Sequence, residues 1–364
     1  MNYTFLILIL VALYAGFALL LFNGLNRKYI LKNNLELPVS VIVAARDEAE
    51  NIRQCLTSLD RLKYPQHLLE IFIVDDRSID ETQNIILDFI KDKTHFKYLR
   101  NDKTNLNLSG KANGISQAIK KSRGEIILIT DADCEVPSSW IQNTIPYFHE
   151  NVGIVAGFTQ LQNNGFFSKM QSLDWAYMLT VAAGTVGMGV PLTCIGNNFA
   201  FRREAYEAVG GYEGVGFSVT EDFALLQSIT QNTNWQVVAP IEYQSIVQSK
   251  PVENIFDFFK QRKRWAVGGV SVHWLGKLLI LTSVFIHTAI FSLLIMGNFL
   301  LAGEIFAVIL VCDLLLLFST LKKAGKQKLI FLLPLYKIFS FFYMLILSLI
   351  LLFNPTVEWK GDSW

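Results

Sequence analysis

Four apolar blocks, one near the start of the chain and three toward its end, limit what this sequence can fold into more than any other feature. Thr4 to Phe22 carries no charge, and as a helix it is long enough to cross roughly 30 Å of hydrocarbon. No small-residue cleavage site follows it, so it reads as a retained anchor and not a signal peptide. Hydrophobicity returns after Gly276 in the blocks Leu278 to Met296, Phe299 to Leu321 and Leu329 to Phe353. Soluble helices of that length rarely lack a polar face, so membrane spans are a stronger reading than buried core helices.

Basic residues orient the blocks. Arg27, Lys28 and Lys32 follow the first, Lys260, Arg262, Lys263, Arg264 and Lys277 precede the second, and Lys322, Lys323, Lys326 and Lys328 lie between the third and fourth. Positive residues favour the cytoplasmic side, which puts the N-terminus outside and the middle of the chain inside. Three crossings satisfy this pattern; a fourth would leave the tail, Val357 to Trp364, outside. Pro334 and Lys337 interrupt the last block, which leaves a partly re-entrant segment as the alternative. The resulting division is an anchor over 1–24, an α/β region over 37–252, an amphipathic interfacial stretch over 253–276, two or three membrane segments over 277–355, and a tail over 356–364.

A formal net charge of +1 gives no case for nucleic acid as a partner. Local basic clusters are accounted for by topology and by membrane lipids with anionic head groups. Cys55, Cys134, Cys194 and Cys312 are far apart with no CxxC pair, so neither a zinc site nor a disulfide framework is expected, only reduced cytoplasmic thiols.

Between Pro38 and Lys260, short β-branched runs alternate with amphipathic segments. VSVIVAA (Val39 to Ala45), EIFIVDD (Glu70 to Asp76), FKYL and EIILITDAD (Glu125 to Asp133) predict strands; Glu48 to Leu59, Asp80 to Ile90 and KANGISQAIKKS predict helices. This alternation predicts a mainly parallel sheet flanked by helices. Several strand runs end in carboxylates, and in open α/β sheets ligands bind at the carboxyl ends of strands. Ala45, Asp75, Asp76, Asp131 and Asp133 are therefore expected along one crevice.

Three acidic runs carry the chemistry: VDDRSID, TDAD and TED. Asp131 and Asp133, alternate residues at a strand end, can share one divalent cation and leave positions for diphosphate oxygens, which suits Mg²⁺ or Mn²⁺. Asp75 or Asp76 can accept a hydrogen bond from a base, with Ala45, Arg46 and Glu48 wrapping the nucleoside. No GxGxxG follows the first strand, which argues against a dinucleotide fold. Lys111 offers a cation to phosphate, or is a solvated lysine opening a helix. Glu221 and Asp222 either cap a helix or supply a general base.

On the interfacial stretch, QRKRW brings Gln261, Arg264 and Trp265 to one helical face. Arginine suits phosphate and tryptophan offers a sugar ring an apolar face. Upstream, GNNFAFRREAYEAVGGY provides Asn197 and Asn198 as amide partners for sugar hydroxyls.

VIVAARDEAENI, VDDRS, GKANG, DAD, TED and QRKRW, in this order, resemble the inverting family 2 glycosyltransferases of GT-A fold over Pro38 to Trp265. The flanking segments are similar to those of membrane-integrated members such as poly-N-acetylglucosamine synthases and ceramide glucosyltransferases. The resemblance implies an α/β GT-A domain of the nucleotide-diphospho-sugar transferase type, a UDP-sugar donor and a metal at Asp131 and Asp133. It further implies Asp222 as catalytic base with Glu221 beside it, and Gln261, Arg264 and Trp265 at the diphosphate and acceptor. The tail WKGDSW resembles a WKGR-type ending, with Asp362 where a basic residue is expected.

The function expected is sugar transfer to a lipid or lipid-linked glycan, by an integral membrane protein of the bacterial inner membrane whose catalytic domain is cytoplasmic. A processive polysaccharide synthase, with a partner subunit to complete a chain path, is the alternative. A non-catalytic nucleotide- or glycan-binding scaffold is the rival from another class.

Overall fold

The computed structural model describes residues 3–33, 35–102, 108, 110–354, 356–359 and 362–363. Met1 and Asn2 of the anchor, Ser109 beside Lys111, and Lys360, Gly361 and Trp364 of the tail lie outside the described residues.

The strands are β1 (Val39–Ala45), β2 (Leu69–Asp75), β3 (Phe96–Arg100), β4 (Ile126–Asp131), β5 (Cys134–Glu135), β6 (Val152–Ala156), β7 (Thr159–Leu161), β8 (Phe199–Arg202), β9 (Gln236–Val238) and β10 (Val247–Ser249). Seven form one sheet in the order β3-β2-β1-β4-β8-β6-β9, and β5, β10 and β7 form a second. In the large sheet only β8 runs antiparallel to its neighbours. β1 and β2 are apolar almost throughout because both sheet faces are covered.

The helices are α1 (Tyr3–Leu25), α2 (Ile52–Asp60), α3 (Thr82–Ile90), α4 (Gly110–Lys121), α5 (Trp140–Thr144), α6 (Phe166–Gly187), α7 (Arg203–Glu207), α8 (Gly211–Val215), α9 (Glu221–Asn232), α10 (Ile255–Gly268), α11 (Trp274–Ile295), α12 (Phe299–Lys323) and α13 (Leu333–Phe353). Alternation along the strands sorts the core in two. Val41, Val43, Ile71 and Ile73 pack with Ile52 and Leu56 of α2, while Ile42, Phe72 and Val74 face Ile115 of α4 on the other side. The second core continues without a break into α1 and α12, so the sheet domain and the apolar helices share buried surface.

α1, α11, α12 and the stretch Gln327–Phe353 are each long and apolar enough to cross a membrane. Pro334 lies in the first turn of α13, where its missing N–H breaks no helical hydrogen bond, so it starts this helix and does not interrupt it. α10 begins where the Asn254 side chain accepts a hydrogen bond from the Asp257 N–H.

One element lacks a counterpart in the sequence reading. α6 runs along α1 and also touches α12 and α13, welding the sheet domain to the apolar helices. Its backbone meets that of α1 at Gly24 and Gly184, where a Cβ on Gly24 would lie 2.0 Å from the Gly184 carbonyl oxygen.

Candidate active site

Register sets the site. Ala45 pairs with Asp75, and Ala44 pairs with Asp131, so β1, β2 and β4 end at one level. A cavity of about 1920 Å³ opens over this edge. Every residue proposed from the sequence as part of the site lines it except Asp75 and Asn198.

The structure separates the two aspartates of the VDD run. Asp75 is fully buried: its Oδ1 accepts from the Ser78 N–H at 2.9 Å, and its Oδ2 from Tyr98 Oη at 2.9 Å and Arg100 Nη1 at 3.2 Å. Asp76 faces the cavity, with Asn101 Nδ2 at 2.8 Å on Oδ1 and Arg46 Nη1 at 3.9 Å from Oδ2. Two non-glycine residues with positive φ, Asp47 at 53° and Arg77 at 60°, shape the turns that present this pair. The turns lock together: Asp47 N–H donates to Ser78 Oγ at 3.0 Å and Ile79 N–H to Asp47 Oδ1 at 2.9 Å. Gly110 opens α4 against this wall, and a Cβ there would lie 2.3 Å from Asp76 Oδ2.

Lys111, one residue on, bridges two elements. Its Nζ lies 2.8 Å from Asp131 Oδ1 and 2.8 Å from Glu221 Oε1. Burial works against its charge, but the Asp131 and Glu221 carboxylates outweigh this and hold its pKa well above the usual lysine range. The solvated lysine allowed by the sequence is thus not what the fold makes of it.

Asp222 sits in the first turn of α9, and its Oδ1 accepts the Phe223 N–H at 2.9 Å. Burial first, and then Glu221, push its pKa up to about 6, against the pull of Lys111. Gly196 stands across from it; a Cβ there would lie 3.0 Å from Asp222 Oδ2. Next in the chain, the Asn197 carbonyl accepts Thr130 Oγ1 at 2.9 Å and its Oδ1 accepts Thr159 Oγ1 at 2.8 Å. Asn198 is turned inward, accepting Trp140 Nε1 at 2.9 Å and donating to the Phe158 and Ser245 carbonyls. Its amide ties α5 to the segments that lead into β7 and β10 and is not brought to the cavity.

On α10, Gln261, Arg264 and Trp265 face the cavity, as the helical spacing predicts. Sequence reasoning missed what holds them. Arg262 pairs with Asp174 of α6, Nε to Oδ2 at 2.9 Å, while Tyr336 Oη and Tyr343 Oη of α13 donate to Asp174 Oδ1 at 2.9 and 2.7 Å. The Arg262 guanidinium also lies 4.4 Å from the Trp265 ring centroid, and Trp265 meets Trp175 edge-on at 5.1 Å. An acid inside the mostly apolar run LDWAYML of α6 was the available signal, since such an acid needs a partner.

Among the described residues, no group of three or more His, Cys, Asp or Glu side chains is arranged to hold a metal ion. The donor set nevertheless fits a divalent cation completed by ligand oxygens. Burial, then Asp131, then Glu48 push the Asp133 pKa up to about 6, so a cation beside Asp133 would favour its charged form. All-oxygen donors suit Mg²⁺ or Mn²⁺.

The family model described as Glycosyl transferase family 2 matches residues 40–210, and that described as Glycosyl transferase family group 2 matches residues 126–356. A beta-monoglucosyldiacylglycerol synthase of Nostoc sp. is 30% identical over 64% of this chain and 48% of its own length. A poly-beta-1,6-N-acetyl-D-glucosamine synthase of Staphylococcus epidermidis is 27% identical over 68% of this chain and 58% of its own. The chain thus spans about half the length of the curated relatives it matches. In fold it is similar to a mannosyltransferase from Pyrobaculum calidifontis solved with GDP-Man and Mn²⁺: TM-score 0.61, 17% identity, 93% of this chain and 98% of that one.

Proposed function

The chain belongs to the family 2 glycosyltransferases, and on that premise we propose that it transfers a sugar, with inversion, from a UDP-sugar to a lipid or lipid-linked glycan. The observation that carries the reading is a single cavity that holds Asp76, the Lys111–Asp131 pair and Asp222 and then continues between apolar helices. A donor bound across the strand edge and an acceptor arriving from a bilayer would meet in it.

In this reading, Asp76 receives the base, and Ala45, Arg46 and Glu48 enclose the nucleoside. Lys111 and Arg264 face the diphosphate, and Glu221 steadies Lys111. Asp222 takes the proton of the acceptor hydroxyl, whose oxygen attacks the anomeric carbon from the side opposite the diphosphate. A pKa near 6 keeps that carboxylate ionised at neutral pH yet more basic than an ordinary aspartate. A divalent cation held by Asp131 and Asp133 would supply charge that favours departure of a nucleoside diphosphate. Gln261, Trp265 and Asn197 flank the acceptor. The basic residues between the apolar blocks support a cytoplasmic catalytic domain in an inner membrane.

A second reading, processive synthesis with a partner subunit, is favoured by the Trp175–Trp265 wall, an aromatic surface on which successive sugars could lie. One experiment tests both. Membranes holding the chain are incubated with labelled UDP-sugars and Mn²⁺, then extracted. Label in organic solvent is expected; label in polymer favours the second reading, and label left on the donor refutes both.

A further inference from the structure

The same cavity has an inner arm among the apolar helices, lined by Tyr14 of α1, His287 of α11 and Lys337 of α13. The arm runs between α11 and α13, lined by Ile280, Val284 and His287 of the one and Phe341 and Leu345 of the other, and the two helices meet where Phe341 lies against His287 and Phe291. Its walls are apolar and half exposed: Ile280, Val284 and Leu345 line the cavity and present 52%, 43% and 50% of their surface. Phe341 stacks on His287 at 6.1 Å within the cleft.

At the end of the arm is a largely buried polar cluster, in which Asp313, Lys337 and Tyr14 are buried and Tyr177 is partly exposed. Lys337 Nζ lies 2.8 Å from Asp313 Oδ2, and Tyr14 Oη and Tyr177 Oη donate to Asp313 Oδ1 at 2.7 and 3.0 Å. Charges at this depth are costly and persist when paired or put to use. Here one lysine cancels one aspartate. The lysine ammonium has three donors, of which Asp313 and Tyr14 Oη at 3.5 Å engage two. The third has no hydrogen-bond partner among the described residues, with the Tyr177 ring centroid 5.3 Å from the ammonium, and can meet an uncharged oxygen acceptor, while His287 Nδ1 is occupied by the Ser283 carbonyl at 2.6 Å. A lipid phosphate brought to this cluster would add an uncompensated negative charge, whereas ester and hydroxyl oxygens would not.

We propose that this arm is a lateral seat for a neutral, hydroxyl-bearing lipid that enters between α11 and α13, an uncharged oxygen of its head group meeting Lys337. The proposal rests on the glycosyltransferase reading for where the free hydroxyl leads, namely outward along the cavity toward Asp222. Ile280, Val284 and Leu345 flank the acyl chains. The Asp313–Lys337 pair makes the seat selective against anionic lipids.

The test uses the full chain in phosphatidylcholine nanodiscs with a photoactivatable diacylglycerol as probe. Cross-links are expected in peptides from Trp274–Ile295 and Leu333–Phe353. Unlabelled dioleoylglycerol should compete about tenfold better than dioleoyl phosphatidic acid, equivalent to one decade in affinity. Val284→Trp, or Leu345→Trp should the first not fold, should reduce labelling about tenfold on the same scale; Leu300→Trp, on the exposed start of α12, should not. Labelling spread over other helices, equal competition by phosphatidic acid, or full labelling of both cleft variants would overturn the seat. Labelling requires no donor turnover, so the two readings fail separately. Correct labelling with no use of any UDP-sugar refutes the transferase alone, and glycosylation without cleft labelling refutes the seat alone.

Discussion

Arg262 and Asp174 form a buried ion pair, Nη2 to Oδ2 at 2.6 Å, that ties the helix presenting Gln261, Arg264 and Trp265 to the helix crossing the sheet domain. Removing one member of such a pair leaves an uncompensated buried charge, which costs about 3–5 kcal/mol. Arg262→Met is therefore expected to lower the unfolding temperature of the purified protein markedly. Asp174→Asn combined with Arg262→Gln should recover part of that loss because neither charge remains. Arg264→Ala, two residues on, should leave the unfolding temperature near wild type while slowing transfer. Equal thermal stability of wild type and Arg262→Met would refute the structural role.

Transfer should depend on pH through Asp222. Its pKa is raised from the ordinary aspartate value, 3.8, to about 6, and the base must be ionised, so kcat/KM should rise through pH 6 and level off above it. The stability effect has the opposite sign. A carboxyl raised in the folded state contributes stability that is complete below pH 3.8 and is lost as pH climbs through about 6. Lys111→Met removes the neighbouring cation, so the acid limb should shift to higher pH. Asp222→Asn should insert and fold normally and lose about 10²-fold or more in rate. A flat profile between pH 5 and 8, taken as the window about pH 6, contradicts the assignment.

The strand pattern and its acidic ends were legible because both are local: period, β-branching and turn residues lie within a few positions of one another. The choice between Asp75 and Asp76 was not, since it turns on Tyr98 and Arg100 of the next strand, which claim Asp75 across the sheet. Asn198 was drawn to the site by its neighbour Asn197, yet a buried tryptophan N–H at position 140 takes its oxygen. Nor was the Asp174–Arg262–Tyr336–Tyr343 network legible, because its members come from three helices far apart in the chain. Lys337 looked like a break in an apolar block. Its partner Asp313, inside another such block, makes it part of a buried pair instead.

Removal of divalent cations should abolish transfer. With Asp131 and Asp133 as donors, chelation is expected to reduce the rate to background, and Mn²⁺ or Mg²⁺ to restore it. Asp133→Asn should lower kcat by about 10²-fold, the scale for losing one preorganised charge contact. Undiminished transfer by chelator-treated protein argues that Lys111 and Arg264 supply the positive charge without a metal.

Two glycines should separate donor binding from chemistry. At Gly110 an added methyl meets Asp76 Oδ2 at 2.3 Å, a contact that cannot stand, so either α4 or the Asp76 carboxylate must move. Asp76 is held by Asn101 and α4 carries Lys111 in its first turn, so both outcomes disturb the nucleotide side. Gly110→Ala should weaken UDP binding in calorimetry by about 1–3 kcal/mol, the usual cost of overpacking. At Gly196 the methyl lies 3.0 Å from Asp222 Oδ2, on the acceptor side. Gly196→Ala should leave UDP affinity near wild type and lower kcat, since only the base is displaced. If both variants alter UDP affinity alike, Asp222 and Asp76 do not serve separate halves of the cavity.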